Sequence, residues 1–317
     1  GAAGINNTDI NTRIGWYSKA VKGATDAGGD QADAADASWS GVPLQLPRIQ
    51  GADCCGRIVA VGAEVDPTRI GERVIVRSMQ RHGVRDKPFA TVTLGSEFDG
   101  AFAQYMKTPS DEAYRVACGW TDAELASIPC AWSTAENMLH RAGCKAERVL
   151  ITGASGGVGS AAVQLAKRRG AEVIALSGAA KAGDVRALGA DLVLDRDADL
   201  VAALGRDSVD LAVDLVAGPN WPRLLDVLRV GGRYVTSGAI AGPLVELDVR
   251  TLYLKDLTFY GATYQDDEVF ENLIGYIERG EIRPLVARTY PLRDIAVAQQ
   301  DFMAKRHTGK LVLIPPG

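Results

Sequence analysis

The residues with the clearest chemical meaning form a glycine-rich turn, Thr152-Gly153-Ala154-Ser155-Gly156-Gly157-Val158-Gly159. The apolar run Val149-Leu150-Ile151-Thr152 before it predicts a strand, and Ser160–Arg169 after it predicts a helix that stops at Gly170. Glycine lets the backbone turn tightly and removes the side chain where a pyrophosphate must approach. The start of the helix then presents unpaired N–H groups and a partial positive charge to that anion. Strand, turn and helix followed by further βα units make a dinucleotide cradle, with Ala154, Ser155, Gly156, Gly157, Val158 and Gly159 as its contacts.

The next two strands bear on which dinucleotide binds. A carboxylate at the end of the second strand would bond the ribose hydroxyls and repel a 2′-phosphate. Here the strand Val173–Leu176 runs into Ser177-Gly178 with Lys181 close behind, and Arg196 follows the third strand, Leu192–Leu194. A hydroxyl with one or two cations suits a phosphate, so Ser177, Lys181 and Arg196 predict NADP(H). The competing role for Lys181 is a solvated lysine at a helix start. Val216 and Gly238, at the carboxyl ends of later strands, and Lys310 near the C-terminus complete the expected cofactor contacts.

The elements that must position these residues fall into two classes. Up to about residue 117, short runs broken by glycine and proline suggest a compact all-β unit; examples are Arg57–Val61, Arg73–Val76 and Ala101–Met106. From 118 to 266, apolar strands alternate with helical periods: Val149–Thr152, Val173–Leu176, Leu192–Leu194, Leu211–Val216, Tyr234–Ser237 and Leu257–Tyr260. Six strands with crossovers imply an α/β fold with a doubly wound parallel sheet and ligands at its carboxyl edge. The tail from 267 ends in a strand, Lys310–Ile314, and is expected to rejoin the first domain. Lys19–Gly41, rich in alanine, glycine and aspartate (Asp26, Asp30, Asp33, Asp36), predicts a long surface loop. It is either a tolerated insertion or a lid flanked by Trp16, Tyr17 and Trp39.

Bulk properties narrow the class. The chain of 317 residues has room for two cores, and 47% hydrophobic with 23% charged residues describes an ordinary globular protein. A net charge of -4 gives no reason to expect nucleic acid or an anionic membrane as partner. No apolar run reaches the roughly 18 residues of a membrane-spanning helix. Cys54, Cys55, Cys118, Cys130 and Cys144 show no CxxC spacing, which makes a reducing cytoplasm the expected compartment. His82, His140 and His307 have no partner at metal-binding spacing.

The glycine turn also fits the short-chain dehydrogenase signature. That family carries it near the N-terminus with a later Tyr-x-x-x-Lys pair, and no tyrosine here has a lysine four positions on. Over essentially its whole length the chain instead resembles the medium-chain dehydrogenase/reductase superfamily. The resemblance rests on Ala3–Asp9, Gly51-Ala52-Asp53-Cys54-Cys55-Gly56, Gly71-Glu72-Arg73-Val74 and Ile128–Ala135. It continues through the glycine turn, Leu188-Gly189-Ala190-Asp191, Asp214–Gly218, Gly231-Gly232-Arg233 and Thr308–Val312. It implies a GroES-like β-barrel catalytic domain (1–117 and 267–317), a Rossmann NADP-binding domain (118–266), and a homodimer or homotetramer. Members usually begin earlier in their sequences, so an N-terminal truncation is expected here.

In zinc-dependent members the catalytic metal's cysteine, histidine and second cysteine fall, by motif position, at Asn6, Ala52 and Cys130, with Asp53 replacing a nearby glutamate. An amide and a methyl group cannot ligate zinc. The four cysteines of the relatives' structural zinc have no counterpart in 77–100. No metal is therefore expected, and Cys130 is expected as a packed core thiol. The chain looks most like the zinc-independent quinone oxidoreductase branch, which implies hydride transfer from NADPH to a quinone or an α,β-unsaturated carbonyl of a small-molecule substrate. Asn6 matches an asparagine that this branch holds beside the nicotinamide, and Thr134 is expected at its face or carboxamide; both are the catalytic candidates and cofactor contacts. The competing roles are capping a turn for Asn6 and starting the helix Ala135–His140 for Thr134. Tyr17 and Tyr264 are weaker candidates for the role of proton donor, and Asp53 could instead be a buried partner of Arg13 or Arg57. Two alternatives stand beside this function: a metal-free alcohol or carbonyl dehydrogenase, and an NADPH-binding protein with little catalysis.

Overall fold

The computed structural model describes residues 1–26 and 32–317. The chain divides into two compact units. Gly1–Val21, Gly28–Ser133 and Asp266–Gly317 form the first, and Lys22–Ala27 with Thr134–Gln265 form the second. Residues 118–133, expected with the second domain, thus group with the first. The reason is packing: the helix Asp122–Ala126 lies against the strands Ala3–Gly4 and Cys54–Arg57.

The second unit is built on a six-stranded sheet in the spatial order Thr258–Gly261, Leu228–Thr236, Val209–Asp214, Arg148–Ile151, Glu172–Ser177, Leu192–Asp195. All of its pairings are parallel. Central strands such as Val149-Leu150-Ile151 and Leu211-Ala212-Val213 are wholly buried, as continuous apolar runs covered on both faces must be. The strand expected at Tyr234–Ser237 begins earlier, at Leu228, because an irregularity opposite Val209 and Leu211 absorbs Gly231 and Gly232. Strand order reverses beside Arg148–Ile151, which leaves a crevice at the carboxyl ends where a ligand can enter. Trp221, Tyr234 and Phe259 meet edge to face or tilted over one side of the sheet, together with Leu224, Leu225 and Leu228.

The first unit is made of small sheets. One joins Ala3–Gly4, Lys310–Ile314 and Val286–Pro291, another Cys54–Arg57, Arg73–Val76 and Ala113–Arg115, and a third Met79–Gln80 and Val92–Thr93. Two expected runs differ. The strand read as Arg57–Val61 is Cys54–Arg57, and Ala101–Met106 is not a strand. Ala60 and Val61 carry no ladder, and Gly100-Ala101-Phe102 bonds instead to Ile49, Gly51 and Gln50 as a loop. The C-terminal tail is tied in by Arg77, whose fully buried guanidinium bonds Glu112 at 2.7 Å and Asp267 at 2.6 Å. Of the loop expected over Lys19–Gly41, residues 27–31, including Asp30, lie outside the described residues. Its flanks are ordered by Tyr17 against Trp39 at 4.6 Å between ring centroids and by Lys19 N–H on Asp36. Among the described residues no helix is long and apolar enough to cross a membrane.

Candidate functional site

In the second unit, the strand Arg148–Ile151 feeds the turn and the helix Gly157–Arg168 leaves it. That helix starts three residues before the expected Ser160. Gly153 adopts a positive φ of 60° that only glycine takes without strain. At Gly159 a Cβ would lie 2.2 Å from Gly153 O and 2.7 Å from Ala154 Cα, so the helix can press onto the turn only through a bare backbone. Small residues continue the fit: Ser160, Ala161 and Ala162 are buried against the sheet. Ala154 is fully buried and its N–H is bonded to Leu176 O, whereas Ser155, Gly156, Gly157 and Val158 reach the surface. The uncapped N-terminus of a twelve-residue helix beside an accessible turn fits a pyrophosphate.

The loops after the fourth and fifth strands close on the same edge. Val216 Cγ2 lies against Gly153, Leu215 O against Gly238, and Ala241 N–H donates to Val216 O at 2.9 Å. Asp214 organises this junction, a role the sequence reading missed. Its carboxylate, fully buried, accepts from Thr152 Oγ1 at 2.6 Å, Tyr234 Oη at 2.8 Å and Val216 N–H at 3.0 Å, while Thr152 Oγ1 accepts from Leu215 N–H. Burial followed by the Asp214 charge pushes the Tyr234 phenol up, so it stays a donor. An acid ending the apolar run Leu211-Ala212-Val213 was the available signal, since a buried carboxylate requires such donors.

At the end of the second strand, Ser177 is buried and its hydroxyl donates to Gly178 O at 3.3 Å. Arg196 lies across Gly178, where a Cβ would come within 2.6 Å of its guanidinium. Burial and then the charge of Arg196 hold Lys181 below the usual lysine value. Two cations therefore share one small region, an arrangement that an anion would stabilise.

The first unit contains a buried polar cluster. Asn6 precedes the helix Asn7–Arg13, and its own N–H is capped by Asp9 Oδ2 at 2.8 Å. Its side chain does other work: Nδ2 donates to Asp53 Oδ2 at 2.8 Å, and Oδ1 accepts from Lys310 Nζ at 2.5 Å. Lys310 Nζ also bonds Asp53 Oδ2 at 2.8 Å, and Asp53 Oδ1 accepts from Cys130 N–H at 2.6 Å. Asp53 thus pairs with Lys310 and not with Arg13, which bonds Gln299, or with the exposed Arg57. Lys310 heads an otherwise apolar strand, and an isolated cation in such a strand needs a carboxylate; the need for a partner was open to sequence reasoning, its identity was not.

Asn6, Asp53 and Lys310 are brought together; the other first-unit candidate, Tyr17, donates to Thr8 Oγ1 at 3.0 Å, with burial pushing its phenol up. Thr134 does not begin a helix. It lies inside Pro129–Arg141, nearly buried, because the helix opens on Pro129 rather than Ala135. Tyr264 accepts on its carbonyl from Asn137 and stacks under Arg141. The donor set does not fit a catalytic zinc ion. Asn6 and Ala52 offer no zinc ligand, and both oxygens of Asp53 are engaged. Among the described residues no group of three His, Cys, Asp or Glu could hold a metal.

Asp9 supplies a pH prediction. It is buried, its oxygens accept from Asn6 N–H and Ala52 N–H, and burial above all, with Asp53 adding repulsion, raises it from 3.8 to about 7. The folded state therefore binds the proton more tightly, so this contribution is fully present below pH 3.8 and is lost as pH rises through about 7. Its ceiling is about 4 kcal/mol. The melting-temperature difference between wild type and Asp9→Asn should shift against the wild type between pH 5 and pH 8; a difference independent of pH would contradict the assignment.

Two family models match the chain: the alcohol dehydrogenase GroES-like domain over residues 1–117 and zinc-binding dehydrogenase over residues 188–313. An erythronolide synthase of Saccharopolyspora erythraea is 34% identical over 283 residues, which is 84% of this chain but 7% of that protein. The quinone oxidoreductase of Sus scrofa is 30% identical over 85% of this chain and 80% of its own. The acryloyl-coenzyme A reductase of Sulfurisphaera tokodaii is 29% identical over 86% and 85%. Among solved structures, a candidate alcohol dehydrogenase of Sinorhizobium meliloti 1021 superposes with a TM-score of 0.88 at 44% identity, covering 99% of this chain and 87% of that one. The chain belongs to the medium-chain dehydrogenase/reductase superfamily, as an oxidoreductase that pairs a GroES-like domain with a Rossmann-type domain for a nicotinamide cofactor.

Proposed function

We propose that the protein is a zinc-independent, NADPH-dependent reductase that adds hydride to a quinone ring or to the β-carbon of an α,β-unsaturated carbonyl. The observation that carries this reading is the engagement of Asp53 by Lys310, Asn6 and Cys130, which leaves no ligand set for a Lewis acid. A conjugated acceptor needs less polarisation than an alcohol. The electron pair displaced by hydride moves onto the carbonyl oxygen, a hydrogen-bond donor stabilises it, and water protonates the α-carbon. When bound, the reduced nicotinamide supplies the hydride. Asn6 is the proposed orienting group and Thr134 the proposed nicotinamide contact. Two relatives, a quinone oxidoreductase and an acryloyl-coenzyme A reductase, take conjugated acceptors by name.

NADPH preference is assigned to Lys181 and Arg196. Each charge-assisted bond contributes about 1.5–3 kcal/mol, so Lys181→Ala or Arg196→Ala should lower the NADPH-to-NADH ratio of kcat/KM by about tenfold or more. An unchanged ratio in the double variant would remove the phosphate assignment. The decisive experiment is NADPH consumption against quinones, enones, aldehydes and alcohols on protein assayed for zinc. Turnover of conjugated acceptors alone supports the proposal. Reversible turnover of simple alcohols alone would favour a metal-free alcohol dehydrogenase, the reading to which the S. meliloti structure lends weight. The edge strand Thr258–Gly261 is the proposed surface for pairing of two copies.

A further inference from the structure

The buried cluster of the first unit contains two carboxylates and one ammonium. The three positions where the resemblance puts metal ligands all meet those carboxylates: Asn6 and Ala52 donate backbone N–H groups to Asp9, and Cys130 donates its N–H to Asp53. Lys310 enters the same cluster, with Nζ 2.5 Å from Asn6 Oδ1 and 2.8 Å from Asp53 Oδ2 and its side chain 4% exposed. It cannot easily swing away. Its N–H is bonded to Leu285 O, and the strand it begins is paired with Val286–Pro291 on one side and Ala3–Gly4 on the other.

We propose that Lys310 is the resident cation of this site: clamped by Asp53, its ammonium fixes the Asn6 amide in one orientation and bars a divalent metal ion. The amide has only one satisfied orientation. Its oxygen must face the ammonium and its NH₂ the carboxylate; a flip would set donor against donor and acceptor against acceptor. A divalent ion would need Asp53, the carboxylate that meets the Asn6 side chain, and would encounter a fixed positive charge a few ångströms away. In a buried site that repulsion is poorly screened. The inference goes beyond the acceptor reading and does not depend on it.

The test compares Asn6→Cys with Asn6→Cys/Lys310→Met. Either variant adds a thiol at position 6 of a cluster that holds Asp53 and the backbone of Cys130, and the two differ at residue 310, where one keeps the ammonium and its hydrogen bonds and the other does not. Zinc content after dialysis and the thiolate-to-cobalt absorption after Co²⁺ titration are the readouts, with melting curves to show that each variant is folded. The double variant should bind one metal ion per chain at least 100-fold more tightly than the single one. Asn6→Cys/Lys310→Arg, which restores the charge, should return to weak binding. If the methionine variant does not fold, Lys310→Gln takes its place, being neutral but still a donor. Equal affinity with Lys310 present and absent, a folded double variant that takes up no metal, or tight binding by the arginine variant would each overturn the proposal.

Discussion

Replacing Gly159 with alanine should weaken dinucleotide binding by at least about 100-fold, the equivalent of about 2.7 kcal/mol. The added methyl would sit 2.2 Å from Gly153 O and 2.7 Å from Ala154 Cα, both backbone atoms that no rotamer change can move aside. The helix Gly157–Arg168 must lift from the turn, and its first N–H groups then lose their aim at the pyrophosphate. Buried Ala161, Ala162 and Leu165 resist that lift because they hold the helix against the sheet. Gly183→Ala is the control, since a Cβ there meets nothing within 4 Å. Fluorescence titration with NADPH and NADH on both variants reads the effect. A Gly159→Ala protein that melts normally and binds either nucleotide like wild type would refute the close-packed cradle.

The largest effect on stability is expected at Asp53. Its carboxylate is fully buried and accepts three hydrogen bonds, from Lys310 Nζ, Asn6 Nδ2 and Cys130 N–H. Asp53→Ala takes away the carboxylate shared by a buried ammonium, an amide and a backbone donor, and leaves Lys310 Nζ with a neutral partner, Asn6 Oδ1. Breaking a buried ion pair in this way costs about 3–5 kcal/mol, which for a domain of this size lowers Tm by about 10 °C. Asp53→Ala/Lys310→Met should recover part of the loss, because the charge stranded by the single variant is removed with it. The exposed pair of Asp248 with Arg250 offers the contrast: both side chains are solvated, and Arg250→Ala should leave Tm nearly unchanged. Thermal or denaturant unfolding distinguishes the two sites. A loss at Asp53 no greater than at Arg250 would show that the cluster contributes little.

Much of the second unit is legible in the sequence because its signals are local. Strands such as Val149–Ile151 and Leu211–Val213 are continuous apolar runs, and the turn between strand and helix is spelled by closely spaced glycines whose backbone demands are set by their immediate neighbours. Boundaries move where pairing partners set them, as at Leu228–Thr236, whose early start depends on Val209 and Leu211 across the ladder. The first unit is harder. Its strands are two to six residues long, too short to show a period, so Ala101–Met106 reads as a strand although Gly51 and Gln50 hold its start as a loop.

The amino-acid sequence by itself determined the glycine cradle, the six-stranded alternation around it and the loss of zinc-ligand residue types at positions 6 and 52. The first two depend on residue identity and short spacing, which are fixed before the chain folds, while the third is read at positions that the family resemblance assigns. Only the tertiary structure decided what occupies the space at those positions. Lys310, expected as a cofactor contact, is clamped on Asn6 and Asp53, residues 304 and 257 positions away. Asp9 and Asp214 likewise acquire their roles only when burial forces each carboxylate to find donors. A buried charge takes its partner from three-dimensional packing, and no spacing rule in the chain anticipates which one arrives.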